Sequence, residues 1–250
     1  MKIEISHQRQ KFQADLNEPI DISIPIKNGA ENPNCYYASD VEFKTIKSGD
    51  FVGSVALGGS VNYKEVRLTP HGNGTHTESY GHLSADMLAN VNTLLSSFHF
   101  IAELITLDIS QSGEDQVLVF EDYLKKRKFQ TDAVIIRSSP NDKNKLTRKY
   151  SGTNPAYLNH RIAEKLKKEK VKHLLIDLPS LDKEVDGGAL LAHRAFWNMS
   201  ERIRGGCTVT ELIYVDDGIK DGLYLLNLQV LNMEIDASPS RPILYNLKPL

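Results

Sequence analysis

The hydrophobic pattern changes character along the chain. In PIDISIPI (19–26) apolar and polar residues alternate, which predicts a strand, and the turn-rich KNGAENPNC follows it. SVALGGSVNYKEVRLTP (54–70) reads as strand, glycine turn and strand. The run ADMLANVNTLLSSF (85–98) carries apolar residues at helical spacing, with Ser84 as its N-cap and Asp86 in its first turn. FIAELITLDIS (100–110) and DAVIIRSS (132–139) are β-branched and strand-like, and VFEDYLKKR (119–127) between them predicts a short helix. Another helix covers NPAYLNHRIAEKLKKEK (154–170); its lysine-rich end is a solvated face at a helix C-terminus, where cations are favoured. VKHLLIDLPS (171–180) is an unbroken apolar run of the kind that fills buried parallel strands. GALLAHRAFWNMSERI (188–203) predicts a helix, and CTVTELIYVDD (207–217) and DGLYLLNLQVL (221–231) predict strands joined by a turn at DDGIKDG. Strands first, then helix alternating with strand, predict one α/β domain with a mixed and strongly curved sheet.

Composition works by exclusion. The chain has 250 residues, 40% hydrophobic and 25% charged, which suffices for one large domain or two small ones. A formal net charge of -2 gives no footprint for nucleic acid or an anionic membrane. Two cysteines far apart, Cys35 and Cys207, argue against a disulfide framework and against a cysteine zinc site. The first residues lack the apolar core of a signal peptide, and no run is long enough to span a membrane, so a reducing cytoplasm is expected.

The chemistry concentrates in PHGNGTHTESYGHLS (70–84), which holds three of the eight histidines. In a strand, residues two apart share a face, so His76 and Glu78 converge, and an imidazole with a carboxylate is an ordinary ligand pair for zinc or a similar ion. His82 falls just before the helix expected from Ser84; the positive helix end disfavours imidazolium there, which suits a general base. His71 lies an odd five residues from His76 and joins the same face only if Gly72–Gly74 is irregular, as in a bulge. The alternative is a polar turn that happens to hold histidines, and neither HExxH nor a paired CxxC is present. Further along, Glu211 shares a strand face with Val209, Ile213 and Val215, which is costly unless it is paired in a salt bridge or coordinated. His193 sits on an apolar helix beside the only tryptophan, Trp197, as a core histidine or a ligand. Asp177 and Asp182 follow a buried strand, where α/β folds collect ligand sites, or they cap the turn. Tyr36, Tyr37 and Tyr80 are candidates to line a pocket, with core or surface roles as the alternative.

These segments, in this order, resemble the cyclase family of metal-dependent hydrolases, which includes bacterial kynurenine formamidase, isatin hydrolase and related amide- or lactone-opening enzymes. The family carries H-x-G-T-H-x-D-x-P-x-H, and GTHTESYGH supplies Gly74, Thr75, His76, Glu78 and His82 in register. IDLPSLD (176–182), LLAHRAF, TVTELIYVDDGIKDGLYLL (208–226) and DASPSRPIL (236–244) are similar to its later segments, and DISIPI fits its start. The resemblance implies a single domain over 1–250, with 1–18 as an N-terminal extension, built as a β-barrel-like mixed sheet with flanking helices of the swivelling β/β/α type. It implies one or two divalent ions, zinc or manganese, and a homodimer or higher homo-oligomer. Carried over by residue, His71, His76 and Glu78 hold a first ion, Glu78 bridges to a second held by His193 and Glu211, and His82 is the acid/base. The reaction implied is hydrolysis of an aryl formamide such as N-formylkynurenine or of a cyclic amide. A lactone is the runner-up, and a non-catalytic metal- or ligand-binding protein is the rival class. Three departures mark a divergent branch: one residue more between His71 and His76, Glu78 in place of aspartate, and Tyr80 in place of proline.

Overall fold

The computed structural model describes all 250 residues, Met1–Leu250. Nine strands form the main path of a mixed sheet: β1 (Ile20–Asp21), β2 (His76–Glu78), β3 (His99–Ser112), β4 (Ala133–Ser139), β5 (His173–Ile176), β6 (Thr208–Glu211), β7 (Gly222–Asn227), β8 (Ala237–Pro239) and β9 (Ile243–Asn246). Across the sheet they run β8-β2-β6-β5-β4-β3-β7-β9-β1. The centre, β3-β4-β5-β6, is parallel, and every pairing outside it on this path is antiparallel. Parallel strands need covered faces, and here both are covered. Ile105, Leu107, Val134, Ile136, Leu174 and Ile176 point to one side, into a core with Trp197 and Phe196. Ala102, Leu104, Ala133, Ile135 and Leu175 point to the other, into a core with Tyr224, Leu226 and Leu244 that the curled sheet encloses.

Three helices exceed one turn: α1 (Phe120–Lys126), α2 (His160–Lys168) and α3 (Leu191–Trp197). α2 begins where Asn159 accepts a bond from the Arg161 amide, and it buries Ile162, Ala163 and Leu166 on one stripe. The expected helix over 154–170 is therefore shorter at its start, where Tyr157–Leu158 pairs as a strand with Asp115–Leu118. α3 is also shorter than its pattern, stopped at both ends by left-handed residues, Leu190 and Asn198.

One expectation fails outright. The helix over 85–98 reduces to one turn, Val91–Leu94. Ser84 does not cap a helix; its hydroxyl holds the Asp86 amide in a local turn, and Asp86 in turn accepts from Leu88 N and Tyr80 Oη. Met87 and Leu88, counted in the apolar stripe, are 86% and 80% exposed. The strands expected over 207–217 and 221–231 both form, shorter than expected, as β6 and β7, and they lie apart in the sheet with β5, β4 and β3 between them. In the region 54–70 only Lys64–Arg67 is a strand, and it pairs with Glu42–Thr45 in a separate two-stranded ribbon. The strand expected over 19–26 pairs only at Ile20–Asp21. Residues Lys2–His7 and Gln10–Asp15 form a hairpin that adds Lys248–Pro249 as a third strand.

Candidate metal centre

The site forms at the end of the sheet where β2 lies between β6 and β8. The antiparallel register sets His76 opposite Glu211 and Glu78 opposite Val209, so all four face one side. Thr77 faces the other way and bonds Thr210 and Ser240. His193 descends onto the same side from α3, its ring 5.5 Å from Trp197. His71 comes from a one-turn helix, Pro70–Asn73, ending at Gly74. The irregularity needed between His71 and His76 is therefore present, as a helical turn and not a bulge. His82 lies in a short 3-10 turn, Tyr80–Leu83, which Ser79 caps by accepting from Gly81 N.

Each ligand-type nitrogen has a defined orientation. His76 Nδ1 is 2.9 Å from Gly74 O, which fixes it as an N–H donor and turns Nε2 inward, 3.4 Å from Glu211 Oε2. His193 Nδ1 is 2.7 Å from Asp182 Oδ2, and its Nε2 stands 3.1 Å from Glu78 Oε1 and 3.4 Å from Glu211 Oε1. His71 Nε2 is 3.0 Å from Asp236 Oδ2, and its Nδ1 is 3.1 Å from Glu78 Oε2. Asp182 is itself held by the amides of Ala192 and His193 at the start of α3. Glu211 Oε1 also accepts from Leu181 N at 3.0 Å.

The inner atoms crowd together without bonding. His76 Nε2, both oxygens of Glu78 and His193 Nε2 are buried and have no hydrogen-bond partner in proper geometry. Leaving such atoms unpaired costs about 1–3 kcal/mol each. Within the two inner sets, separations of 3.1 to 3.4 Å lie close to the spacing of two ligands of one ion, because atoms about 2.0–2.2 Å from a tetrahedral metal stand about 3.3–3.6 Å apart. Ligand-type atoms close to within 4.8 Å in three sets: His71-His76-Glu78, Glu78-His193-Glu211 and His71-His82-Asp236. Glu78 belongs to two of them, so its two oxygens can serve two ions. The donor set fits a divalent cation.

The charges agree. Burial pushes the Glu78 carboxyl up, but the imidazoles of His193 and His71 outweigh it and hold it well below the usual range. Burial lowers His71, yet contact with Asp236 and Glu78 lifts it to about 10. His193 is likewise drawn down by burial and raised well above its usual value by Asp182, Glu211 and Glu78. Without a cation, protons on histidine fill the positive charge that these carboxylates demand.

The structure thus brings His71, His76, Glu78, His193 and Glu211 together. His82 lies at the rim, with Nδ1 3.9 Å from Glu78 Oε2 and 3.8 Å from Asp236 Oδ2. Its expected place at a helix N-terminus is wrong, and two carboxylates surround it instead. Asp182 joins the site through His193. Asp177 does not: it pairs with the buried Lys145 at 2.8 Å and accepts from Ser138 N. Tyr80 turns its hydroxyl to Asp86, and Tyr37 is 79% exposed. Asp236, which bonds His71, is the residue that sequence reading passed over; its one signal was its place at the head of DASPSRPIL.

The cyclase family, described as "Putative cyclase", matches residues 20–183. Among solved structures, "The Structure Of Potential Metal-Dependent Hydrolase With Cyclase Activity" aligns over 91% of this chain and 97% of its own, at 16% identity and a TM-score of 0.63. A predicted metal-dependent hydrolase from Bacillus stearothermophilus aligns over 91% and 98%, at 17% identity and a TM-score of 0.61. Isatin hydrolase A from Labrenzia aggregata, bound to benzyl benzoate, aligns over 91% and 93%, at 11% identity and a TM-score of 0.64. At these identities the likeness is one of fold. No protein of curated function matches the sequence.

Proposed function

The chain belongs to the cyclase family, and from that premise we propose that it is a metal-dependent hydrolase that opens the C–N bond of an aryl formamide or a cyclic amide with water. The observation that carries this reading is the pair of ligand sets sharing Glu78, with the Nε2 atoms of His76 and His193 buried in the cluster without a hydrogen-bond partner. Mixed imidazole and carboxylate ligands suit zinc or manganese. An ion held there supplies Lewis acidity and brings the pKa of water to about 7 in favourable zinc sites.

The chain's own residues do the rest. His71, His76 and Glu78 form one cradle, and Glu78, His193 and Glu211 the other. Asp182 and Asp236 fix which nitrogen of His193 and of His71 faces inward. His82, at the rim and partly open to solvent, takes the proton of the attacking water and returns it to the leaving nitrogen. The resemblance of GTHTESYGH to kynurenine formamidases and the structural likeness to isatin hydrolases support the choice of C–N bond.

Assembly into a homo-oligomer belongs to the same reading. It rests on the ribbon within 42–67, which displays Phe51, Val55, Leu57, Val61, Tyr63 and Val66 to solvent; a lone two-stranded ribbon is marginal in water. No helix is long and apolar enough to cross a membrane, and the free, buried thiols of Cys35 and Cys207 support a reducing cytoplasm as the compartment.

The test is turnover of an aryl formamide, a cyclic amide and a lactone by wild type and His82→Ala, with metal content measured in both. The reading expects hydrolysis of at least one amide by wild type, and a loss of about 10²–10⁴-fold with metal retained in the variant. Activity on the lactone alone would move the substrate to cyclic esters. Metal retained in both with no turnover by wild type would make the protein a binder.

A further inference from the structure

A cavity of about 460 Å³ opens where the parallel strands end, with Ile109 of β3, Pro140 just past β4 and Leu178 just past β5 on its wall. Open α/β sheets bind ligands beyond the carboxyl ends of their strands, and small-molecule sites measure about 300–1,000 Å³. No residue of the metal cluster lines this cavity. Tyr150, which does, packs with Cys35 and Leu212 in a small core of their own, and Leu212 directly follows Glu211. A layer of side chains thus stands between the cavity and the metal centre.

The wall carries one uncommitted cation. Lys145 commits its three N–H groups to Asp177 Oδ2 at 2.8 Å, Ser138 Oγ at 2.8 Å and Asn141 Oδ1 at 3.0 Å. Asp142 is turned to the Asn144 amide, which donates to its Oδ1 at 2.8 Å. Arg148 makes no ion pair and no side-chain hydrogen bond within the protein. Its guanidinium lies over the Tyr150 ring, 5.0 Å from the centroid. The ring steadies the fork without using any of its five donors. The backbone beneath is held as well: Asn34 N donates to Arg148 O at 3.0 Å, and Tyr150 N donates to Asn34 O at 2.8 Å.

Other polar groups of the wall are unpaired. Tyr150 is 3% exposed, yet its hydroxyl has no hydrogen-bond partner within the protein, and a buried hydroxyl ordinarily has one. The side-chain amides of Gln116 and Asn144, on the same wall, have none either. The remaining surface is largely apolar, from Ile109, Pro140, Pro155, Ala156 and Leu178. A planar fork of donors matches a carboxylate with two parallel hydrogen bonds. One free cation, with Asp142 on the same wall, suits a monoanion and not a phosphate dianion. The apolar side calls for a hydrocarbon body.

We propose that this cavity is a binding site for a small organic monocarboxylate, whose carboxylate meets the Arg148 guanidinium and whose apolar body lies against Pro140, Pro155 and Leu178. The assignment does not depend on the hydrolase reading.

The probe is 4-bromobenzoate, on metal-loaded full-length protein. Soaked crystals should show an anomalous bromine peak in this cavity, and calorimetric titration should show saturable binding. Arg148→Met keeps a stem over Tyr150 and removes the fork; affinity should fall about ten-fold or more with Tm unchanged. The neutral 4-bromobenzamide should bind wild type about ten-fold or more weakly than the carboxylate does. Bromine at the metal centre alone, binding at crystal concentration only, or equal affinity in wild type and Arg148→Met would each overturn the proposal. None of these readouts needs turnover, so a wild type that hydrolyses nothing would sink the hydrolase reading and leave this test standing.

Discussion

Replacing Glu78 by glutamine keeps the volume of the side chain and removes its charge. The carboxylate is 1% exposed, with Oε1 3.1 Å from His193 Nε2 and Oε2 3.1 Å from His71 Nδ1. It is the only residue common to the two inner ligand sets, so both should fail together. A site saturated to one hundred times its dissociation constant stabilises the folded chain by about 2.7 kcal/mol. In a chain of this size each kcal/mol is worth about 2–4 °C, so one ion raises Tm by about 5–11 °C, and two raise it further. Thermal unfolding with and without excess zinc, beside a calorimetric stoichiometry, reads this directly. The metal-induced rise should vanish in Glu78→Gln, whereas His76→Gln and His193→Gln should each lose only part of it. The comparison uses the rise and not Tm itself, because the substitution also strips His71 and His193 of their partner in the metal-free protein. Wild-type stoichiometry in Glu78→Gln would refute the shared carboxylate, and so would a complete loss in His76→Gln alone.

Other consequences follow from single contacts. Asp182→Asn leaves the ligands in place but loosens the 2.7 Å hold on His193 Nδ1, so metal affinity should drop about 10–100-fold without a change in stoichiometry, as competition with a chelator would show. His173 is buried against Phe100 and Thr208, and burial with Lys172 nearby lowers it to about 3. The unfolded chain therefore binds this proton from about pH 6.5 downward while the folded one does not, and stability present above that pH is lost as pH falls. By pH 5 the loss is about 2 kcal/mol, and urea unfolding should show it in wild type and not in His173→Gln. Lys145→Met strands the fully buried Asp177 carboxylate and should cost about 3–5 kcal/mol in the same assay, whereas the double change Lys145→Met with Asp177→Asn should recover part of it.

What the sequence revealed of the site follows the range over which its rules act. His76 and Glu78 were legible as a unit because the two-residue period of a strand is local. Glu211 was legible because a carboxylate among Val209, Ile213 and Val215 needs a partner. His193 was ambiguous, since a histidine on an apolar helix has the same pattern whether it faces a core or an ion; only the fold sets it beside Glu78. Asp236 was out of reach, because nothing near it in sequence says that β8 lies along β2. The same limit explains β6 and β7: their pairing partners are chosen by the sheet and not by the turn between them. The misread helix over 85–98 has a different cause. Its apolar spacing was real, but Ser84 and Asp86 spend their side chains on local turns, and Met87 and Leu88 find nothing to pack against.

The central claim is that this cluster holds divalent metal, and anomalous scattering from crystals grown with zinc or manganese tests it most directly. The account predicts a peak within about 2.0–2.2 Å of His76 Nε2 or His193 Nε2 and of a Glu78 oxygen. Peaks only elsewhere on the molecule, or an inner cluster closed by hydrogen bonds at saturating metal, would contradict it.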